Sequence, residues 1–200
     1  MVWFGSVRRM FDECYRSTPV WEIGRPRKQF VDLFSDGKIT EPVIDIGCGS
    51  GDIALFFAEQ GLDTWGVDFS PEAIRLAEEK ARTRGIRATF RVQNALVLGD
   101  LDRQFATATD SGFFHNLDKR ERPAFEKSLA AVLSPGGKYF MLCFSDDNPP
   151  APGPRHVSQQ EIRNCFAGGW IVDSITPTVF ECNDPAMRRR GWLAAITKKG

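Results

Sequence analysis

Asp45-Ile46-Gly47-Cys48-Gly49-Ser50-Gly51-Asp52 follows the β-branched pair Val43-Ile44 and leads straight into Ile53-Ala54-Leu55-Phe56-Phe57-Ala58. The order predicts a strand, a glycine-rich turn and a helix. Glycines in such a turn let the backbone approach a ligand closely, and the helix behind them aims unpaired N–H groups at a carboxylate or phosphate. A dinucleotide-binding turn would place its third glycine at position 52, in the spacing G-x-G-x-x-G. Asp52 stands there instead, and the glycines run G-x-G-x-G. Asp68 comes seventeen residues after Gly51, at the end of the next predicted strand. A carboxylate in that place can accept both hydroxyls of a ribose, a need common to NAD and S-adenosylmethionine.

Working outward, strands and helices alternate. Residues 64–67 read as strand. Ser70 and Pro71 are helix-start chemistry for a helix to about 84, and Gly85 stops it. Strands are predicted at 88–92, 105–109 and 138–144, with a helix over 119–133 opened by Asp118 and a Pro135-Gly136-Gly137 turn behind it. Upstream, Val7, Met10, Phe11, Cys14 and Tyr15 fall at helical offsets, predicting an amphipathic helix to about 18, and a second helix should span 26–34. Downstream, a proline-rich loop at 146–154 precedes a short helix at 158–166 and strands at 170–175 and 192–197. This pattern predicts one doubly wound α/β domain, a mostly parallel sheet with helices on both faces.

Composition narrows the function. Lys plus Arg (26) equals Asp plus Glu (26), so net charge supplies no drive toward nucleic acid. The Arg188-Arg189-Arg190 run reads either as a solvated loop or as a basic lid over an anionic substrate. Five cysteines without C-x-x-C spacing and two histidines, His115 and His156, offer no zinc ligand set, so no metal is expected. Reduced thiols, no secretory leader and no apolar stretch of ~18 residues predict a cytoplasmic protein with no membrane partner.

Four ordered stretches carry a resemblance. Val43 to Gly51 resembles the first motif of class I S-adenosylmethionine-dependent methyltransferases, hydrophobic-D-x-G-x-G-x-G, and Gly66-Val67-Asp68-Phe69-Ser70 resembles the second. Asn94-Ala95 stands where that family commonly has Asp-Ala beside the adenine, a departure, and Leu133-Ser134-Pro135-Gly136-Gly137 resembles the L-x-P-G-G turn before the fifth strand. The resemblance implies a seven-stranded sheet whose last pair supplies an antiparallel edge. It implies S-adenosyl-L-methionine as cofactor and S-adenosyl-L-homocysteine as product. The methionine end is then expected at Asp45, Gly47, Cys48 and Gly49, the ribose at Asp68, the adenosine over Phe69 and beside Asn94 and Ala95. Asp110 is expected to line the methionine pocket. Cys48 is expected as a small residue in a tight turn, with no neighbour to make it a nucleophile.

A narrower resemblance, in Pro19-Val20-Trp21-Glu22-Ile23-Gly24-Arg25-Pro26, Asp110-Ser111-Gly112-Phe113-Phe114-His115 and Gly153-Pro154-Arg155, is to the small-molecule branch that includes thiopurine, halide/thiol and heterocycle methyltransferases. It implies that Trp21 folds over the cofactor, unless it is a core tryptophan pinning the first helix. The chain divides accordingly into a helical lid (1–36), a cofactor-binding core (37–145) and a loop, helix and C-terminal strands (146–200). His115, after the fourth strand, is the expected general base if the acceptor must lose a proton, or else a packing residue of its loop. Tyr15, Phe113, Phe114, Phe144 and Trp192 are expected around an apolar acceptor, with Phe144 equally placed for the core. Arg155 is an anion contact or an exposed loop residue. The expected activity is methyl transfer to a small N, S, O or halide acceptor by a monomer or homodimer. A macromolecular acceptor, a catalytically silent S-adenosylmethionine-binding module and a nicotinamide-dependent oxidoreductase are the alternatives.

Overall fold

The computed structural model describes residues 2–150 and 153–200, with side chains from residue 8. The Val7 side chain and the Ala151-Pro152 pair of the proline-rich loop lie outside the described residues. The decisive stretch folds as expected, with Val43–Ile46 (β1) fully buried and Asp52–Glu59 (α3) entered through Gly51 at φ 85°. On one side β1 pairs in parallel with Thr64–Asp68 (β2), which pairs with Thr89–Val92 (β3). On the other it pairs with Phe105–Ser111 (β4), followed by Leu133–Phe144 (β5), also parallel. The full order is β3-β2-β1-β4-β5-β7-β6, where Arg189–Lys198 (β7) runs antiparallel to both β5 and Trp170–Phe180 (β6). The expected seven strands with an antiparallel edge are therefore present. Successive connections leave β1 and β4 in opposite directions, which opens a crevice at the carboxyl ends of those two strands.

Alternation along β5 shows how the sheet holds its two layers apart. Tyr139, Met141 and Cys143 join the core under Arg122–Val132 (α5) and Gln159–Cys165 (α6), while Phe140 and Leu142 face Phe30 of Lys28–Ser35 (α2) and Phe57 of α3. Both faces are covered, as a parallel sheet requires. Pro71–Arg84 (α4) starts as its sequence predicts: Ser70 Oγ accepts the Ala73 N–H at 3.1 Å, and Gly85 closes the helix at φ 67°. Val2–Tyr15 (α1) packs on α4, and Asp12 accepts a hydrogen bond from Ser70 Oγ at 2.5 Å.

Several boundaries differ from the sequence expectation, each for a physical reason. Helix α5 begins at Arg122 rather than 119. Asp118 uses its carboxylate to accept the N–H groups of Arg120 and Glu121 in a turn, and Pro123, lacking an N–H, takes the first helical turn. The Pro135-Gly136-Gly137 turn lies inside β5, as an excursion between the Phe105–Leu133 and Thr107–Lys138 pairings. Strand β6 runs on to Phe180, beyond the expected 175. It is an edge strand, where Pro177 leaves no ladder partner unsatisfied. The arginines at 189 and 190 pair with it and belong to β7.

Candidate active site

A cavity of about 680 Å³ opens at the carboxyl ends of β1, β2 and β4, beneath α1 and the segment that follows it. Its floor is the glycine turn. Asp68 holds that turn: Oδ2 accepts the Gly49 N–H at 3.0 Å and Oδ1 accepts the Ser70 N–H at 2.9 Å. A side chain at Gly49 (φ 54°) would meet the Tyr15 hydroxyl at 2.6 Å, and one at Gly47 (φ 66°) would meet Phe113 at 2.8 Å. The turn is thus bare backbone with room for a ligand and for nothing of its own.

Two of the acids in the cavity wall, Asp45 and Asp68, stand at the strand ends. Asp45, 1% exposed, accepts from Thr109 Oγ1 at 2.8 Å through Oδ1, but its buried Oδ2 has no partner. Burial raises its pKa to about 8, and the Asp110 and Asp68 charges nearby add to the rise. Burial raises Asp68 to about 6 against the two backbone N–H bonds that pull it down. A buried carboxylate oxygen without a donor costs free energy until a cation or N–H donor reaches it. The Cys48 thiol also lines the cavity. Burial raises its pKa, so it is no nucleophile here.

The roof is aromatic. Phe11 packs on Trp21 (5.7 Å between ring centres) and on Phe69 (5.4 Å), and Trp21 Nε1 donates to the Tyr15 hydroxyl at 3.1 Å. Glu22 latches the roof to the floor by accepting hydrogen bonds from Ser50, whose hydroxyl also receives Lys80 Nζ at 2.5 Å. Phe69, Gln93, Asn94, Ala95 and Leu96 line the side nearest β2 and β3. Asn94 Oδ1 accepts the Leu96 N–H at 2.9 Å, which fixes its amide and leaves one further acceptor site on that oxygen.

The opposite end is built from His115, Phe144, Phe180 and Arg27. His115 packs 4.3 Å from Phe144 and 5.6 Å from Phe180, ring centre to ring centre. Its Nδ1 accepts the Phe144 N–H at 3.1 Å, so the neutral ring carries its proton on Nε2. Burial, with the Arg27 charge behind it, lowers the His115 pKa to about 3. The expected general-base role does not fit this ring, which offers a donor and resists protonation. Arg27, 5% exposed, lies 4.0 Å over the Phe180 ring and donates to the Glu181 and Trp21 carbonyls.

Of the residues expected at the site, Trp21, Asp45, Gly47, Cys48, Gly49, Asp68, Phe69, Asn94, Ala95, His115, Tyr15, Phe113, Phe144 and Arg155 all border this cavity. Three do not. Asp110 is fully buried beneath it, accepting from the Phe113 and Phe114 N–H groups and from Tyr139 Oη at 2.8 Å. Phe114 is a core residue packed on Phe125 and Phe166. Trp192 is buried on the far face, its Nε1 donating to the Val157 carbonyl at 2.9 Å. Asp110 and Trp192 fall on the core-facing phase of their strands, and Phe114 sits in the helical turn after β4 with its ring toward α5. Sequence reading missed Glu22, Arg27 and Phe180. Arg27 gave no signal, since it stands among Arg25, Lys28 and Gln29 and reads as one charge of a solvated helix start. Phe180 gave none. Among the described residues no group of His, Cys, Asp or Glu is arranged to hold a metal ion, and no helix is long and apolar enough to cross a membrane.

Comparison with known proteins agrees with this architecture. Residues 43–137 match the family model described as a methyltransferase domain. The chain is 32% identical over 197 residues, 93% of its length and 87% of the relative's, to the 2-heptyl-1-hydroxyquinolin-4(1H)-one methyltransferase of Mycobacteroides abscessus. It is 35% identical over 130 residues to a demethylmenaquinone methyltransferase of Thermus thermophilus, covering 64% of this chain and 56% of that protein. A solved structure concerned with converting a disulfide bond into a thioacetal group during echinomycin biosynthesis superposes with a TM-score of 0.88. It shows 32% identity over 96% of this chain and 93% of that one. With the glycine turn, the acid that pins it and relatives matched along nearly the whole length, the chain belongs to the class I S-adenosylmethionine-dependent methyltransferases.

Proposed function

We propose that the cavity seats S-adenosylmethionine along its floor and a small aromatic acceptor at the His115 end. The unpartnered Oδ2 of Asp45 carries the first half of this reading. The cofactor's α-ammonium is a donor of the kind that oxygen lacks, and the bare backbone of residues 47–49 leaves space for the amino-acid end. Asp68, already oriented by two N–H bonds, keeps free lone pairs for the ribose hydroxyls. Phe69, Asn94, Ala95 and Leu96 would flank the adenine, and Trp21 and Tyr15 would close over the whole. When bound, the cofactor supplies a methyl group made electrophilic by its positive sulfur.

The protein's own task is alignment and exclusion of water, which can supply most of the acceleration. Phe113, Phe144 and Phe180 form apolar walls for a flat acceptor, and His115 Nε2–H is a donor that can orient it. The hydroxyquinolone named for the Mycobacteroides relative supports a heteroaromatic acceptor here. Balanced charge and free thiols support a cytoplasmic enzyme, monomer or homodimer, that acts on no nucleic acid. A labelled-methyl screen over phenols, thiols, N-hydroxy heterocycles and N-heterocycles tests the reading. Transfer to at least one aromatic class is expected, together with a rise in melting temperature on adding S-adenosylhomocysteine but not NAD. Stabilisation without any transfer would leave only a binding module.

A further inference from the structure

Arg27 is a buried cation whose counter-charge is missing. Its guanidinium is held by two backbone carbonyls and by no carboxylate among the described residues. The acids near it are engaged elsewhere. Glu181 pairs with Arg25 at 3.0 Å and Arg188 at 3.3 Å on the outer surface, and Glu22 is taken by Ser50 and Lys80. The other titratable groups facing it are the Cys182 thiol, His115 and His156, and Arg25 and Arg189 add further positive charge at the same end of the cavity. Taking an arginine out of water without an anion in contact is costly, and an anion arriving beside it offsets that cost. The neighbouring His115 presents an N–H, and its ring will not accept a proton in the neutral range.

We propose that Arg27 and His115 Nε2–H form an anion-binding pair, and that the acceptor is an acidic aromatic O–H, N–OH or S–H compound bound as its conjugate base. The proposal rests on the acceptor reading above and deepens it. It removes the need for a base on the protein, because the acceptor's proton has gone to bulk water before or during binding. The heteroatom's lone pair then forms the bond to the methyl carbon, and the electron pair of the breaking carbon–sulfur bond returns to sulfur. The charges on acceptor and sulfonium vanish together, leaving neutral ether or thioether and S-adenosylhomocysteine. Phe144 and Phe180 meet edge to face, 4.8 Å between ring centres, with His115 packed on the first and Arg27 over the second, so one aromatic cluster holds both donors.

The test separates anion binding from turnover. Naphthalene-2-sulfonate and neutral naphthalene-2-sulfonamide, flat probes of nearly one shape, are titrated by calorimetry at pH 7 into protein saturated with S-adenosylhomocysteine. The wild type should prefer the sulfonate by about tenfold or more, as expected for one buried charge-assisted contact. Arg27→Gln should lose that preference, and Arg27→Lys should keep part of it. With an acidic phenol as acceptor, Arg27→Gln should raise KM, lower kcat/KM at every pH and shift the pH profile of kcat upward, with little change in the kcat plateau at high pH. A neutral N-heterocycle should lose less affinity than the phenol. Equal affinity of the wild type for both probes, or a preference that survives Arg27→Gln, overturns the proposal. If Arg27→Gln does not fold, the wild-type preference and its partial retention in Arg27→Lys decide. Should S-adenosylhomocysteine itself fail to bind, the cofactor reading falls, and the same titrations on the protein alone still judge Arg27.

Discussion

Asp45 and Asp68 sit within one crevice, yet substituting them should have opposite consequences for the ligand-free protein. Asp45→Asn keeps the acceptor for Thr109 and replaces the orphaned oxygen by an amide, removing a buried carboxylate. The variant should melt at a higher temperature than the wild type while binding S-adenosylmethionine at least tenfold more weakly, a trade between stability and function. Asp68→Ala removes the partner of the Gly49 and Ser70 N–H groups. Calorimetry should show both lower stability and on the order of 100-fold weaker S-adenosylhomocysteine binding. His115→Ala should leave that binding nearly intact but lower stability by about 1–3 kcal/mol, since it strips the Phe144 N–H of the ring nitrogen that accepts it. Equal loss of cofactor affinity in the Asp68 and His115 variants would contradict this division. The positions of Asp45 and Asp68 at the crevice were legible because their places at strand ends fix where a carboxylate lands. The behaviour of His115 was not, because burial and an intervening backbone donor decide its protonation, and neither is written in local sequence.

At the scale of elements, the β1–turn–α3 unit and helix α4 were readable almost to the residue, since β-branched runs, glycines at positive φ and a Ser-Pro cap act locally. The lid was readable only as a helix followed by a tryptophan. Its attachment depends on partners distant in sequence: Asp12 on Ser70, and Glu22 on Ser50 and Lys80. Asp110 and Trp192 were assigned to the pocket because strand phase is set by pairing, not by composition, and Phe114 because the helical turn after β4 is fixed by its tertiary packing. The latch has a measurable consequence. Glu22→Gln should keep the fold and speed cofactor release several-fold in stopped-flow, because the charge-assisted bond to Ser50 and the attraction of Lys80 are weakened. An unchanged release rate would show that the aromatic packing of Phe11, Trp21 and Phe69 holds the roof without it.

For the molecule as a whole, the buried acids set a pH dependence. Asp45, Asp110 and Asp68 are raised to about 8, 7 and 6, each chiefly by burial. An acid raised in the folded state keeps its proton where the unfolded chain has released it. Its stabilising contribution is therefore full below about pH 4 and is lost as pH rises through the folded value. Glu72, Asp118 and Glu161 are lowered and act in the other sense, weakening the fold only as pH falls below the ordinary carboxylate range. The ligand-free protein should thus melt highest near pH 5 and progressively lower toward pH 8.5. S-adenosylmethionine, by supplying positive charge to Asp45, should bind more tightly at pH 8 than at pH 6 and release protons to the deep end of the titration. Differential scanning calorimetry and titration in buffers of different ionisation enthalpy check both.

Strand β7 is last in sequence but lies between β5 and β6 in space. On a ribosome, therefore, residues 170–180 emerge with no neighbour to zip against, and the hydrophobic flank of β5 stays open until residue 198 has cleared the exit tunnel. The nascent chain must wait, half-closed, for residues 189–198 to slot inward. Stalling synthesis at residue 188 should leave a protease-sensitive intermediate even though every residue of the glycine turn has long been made.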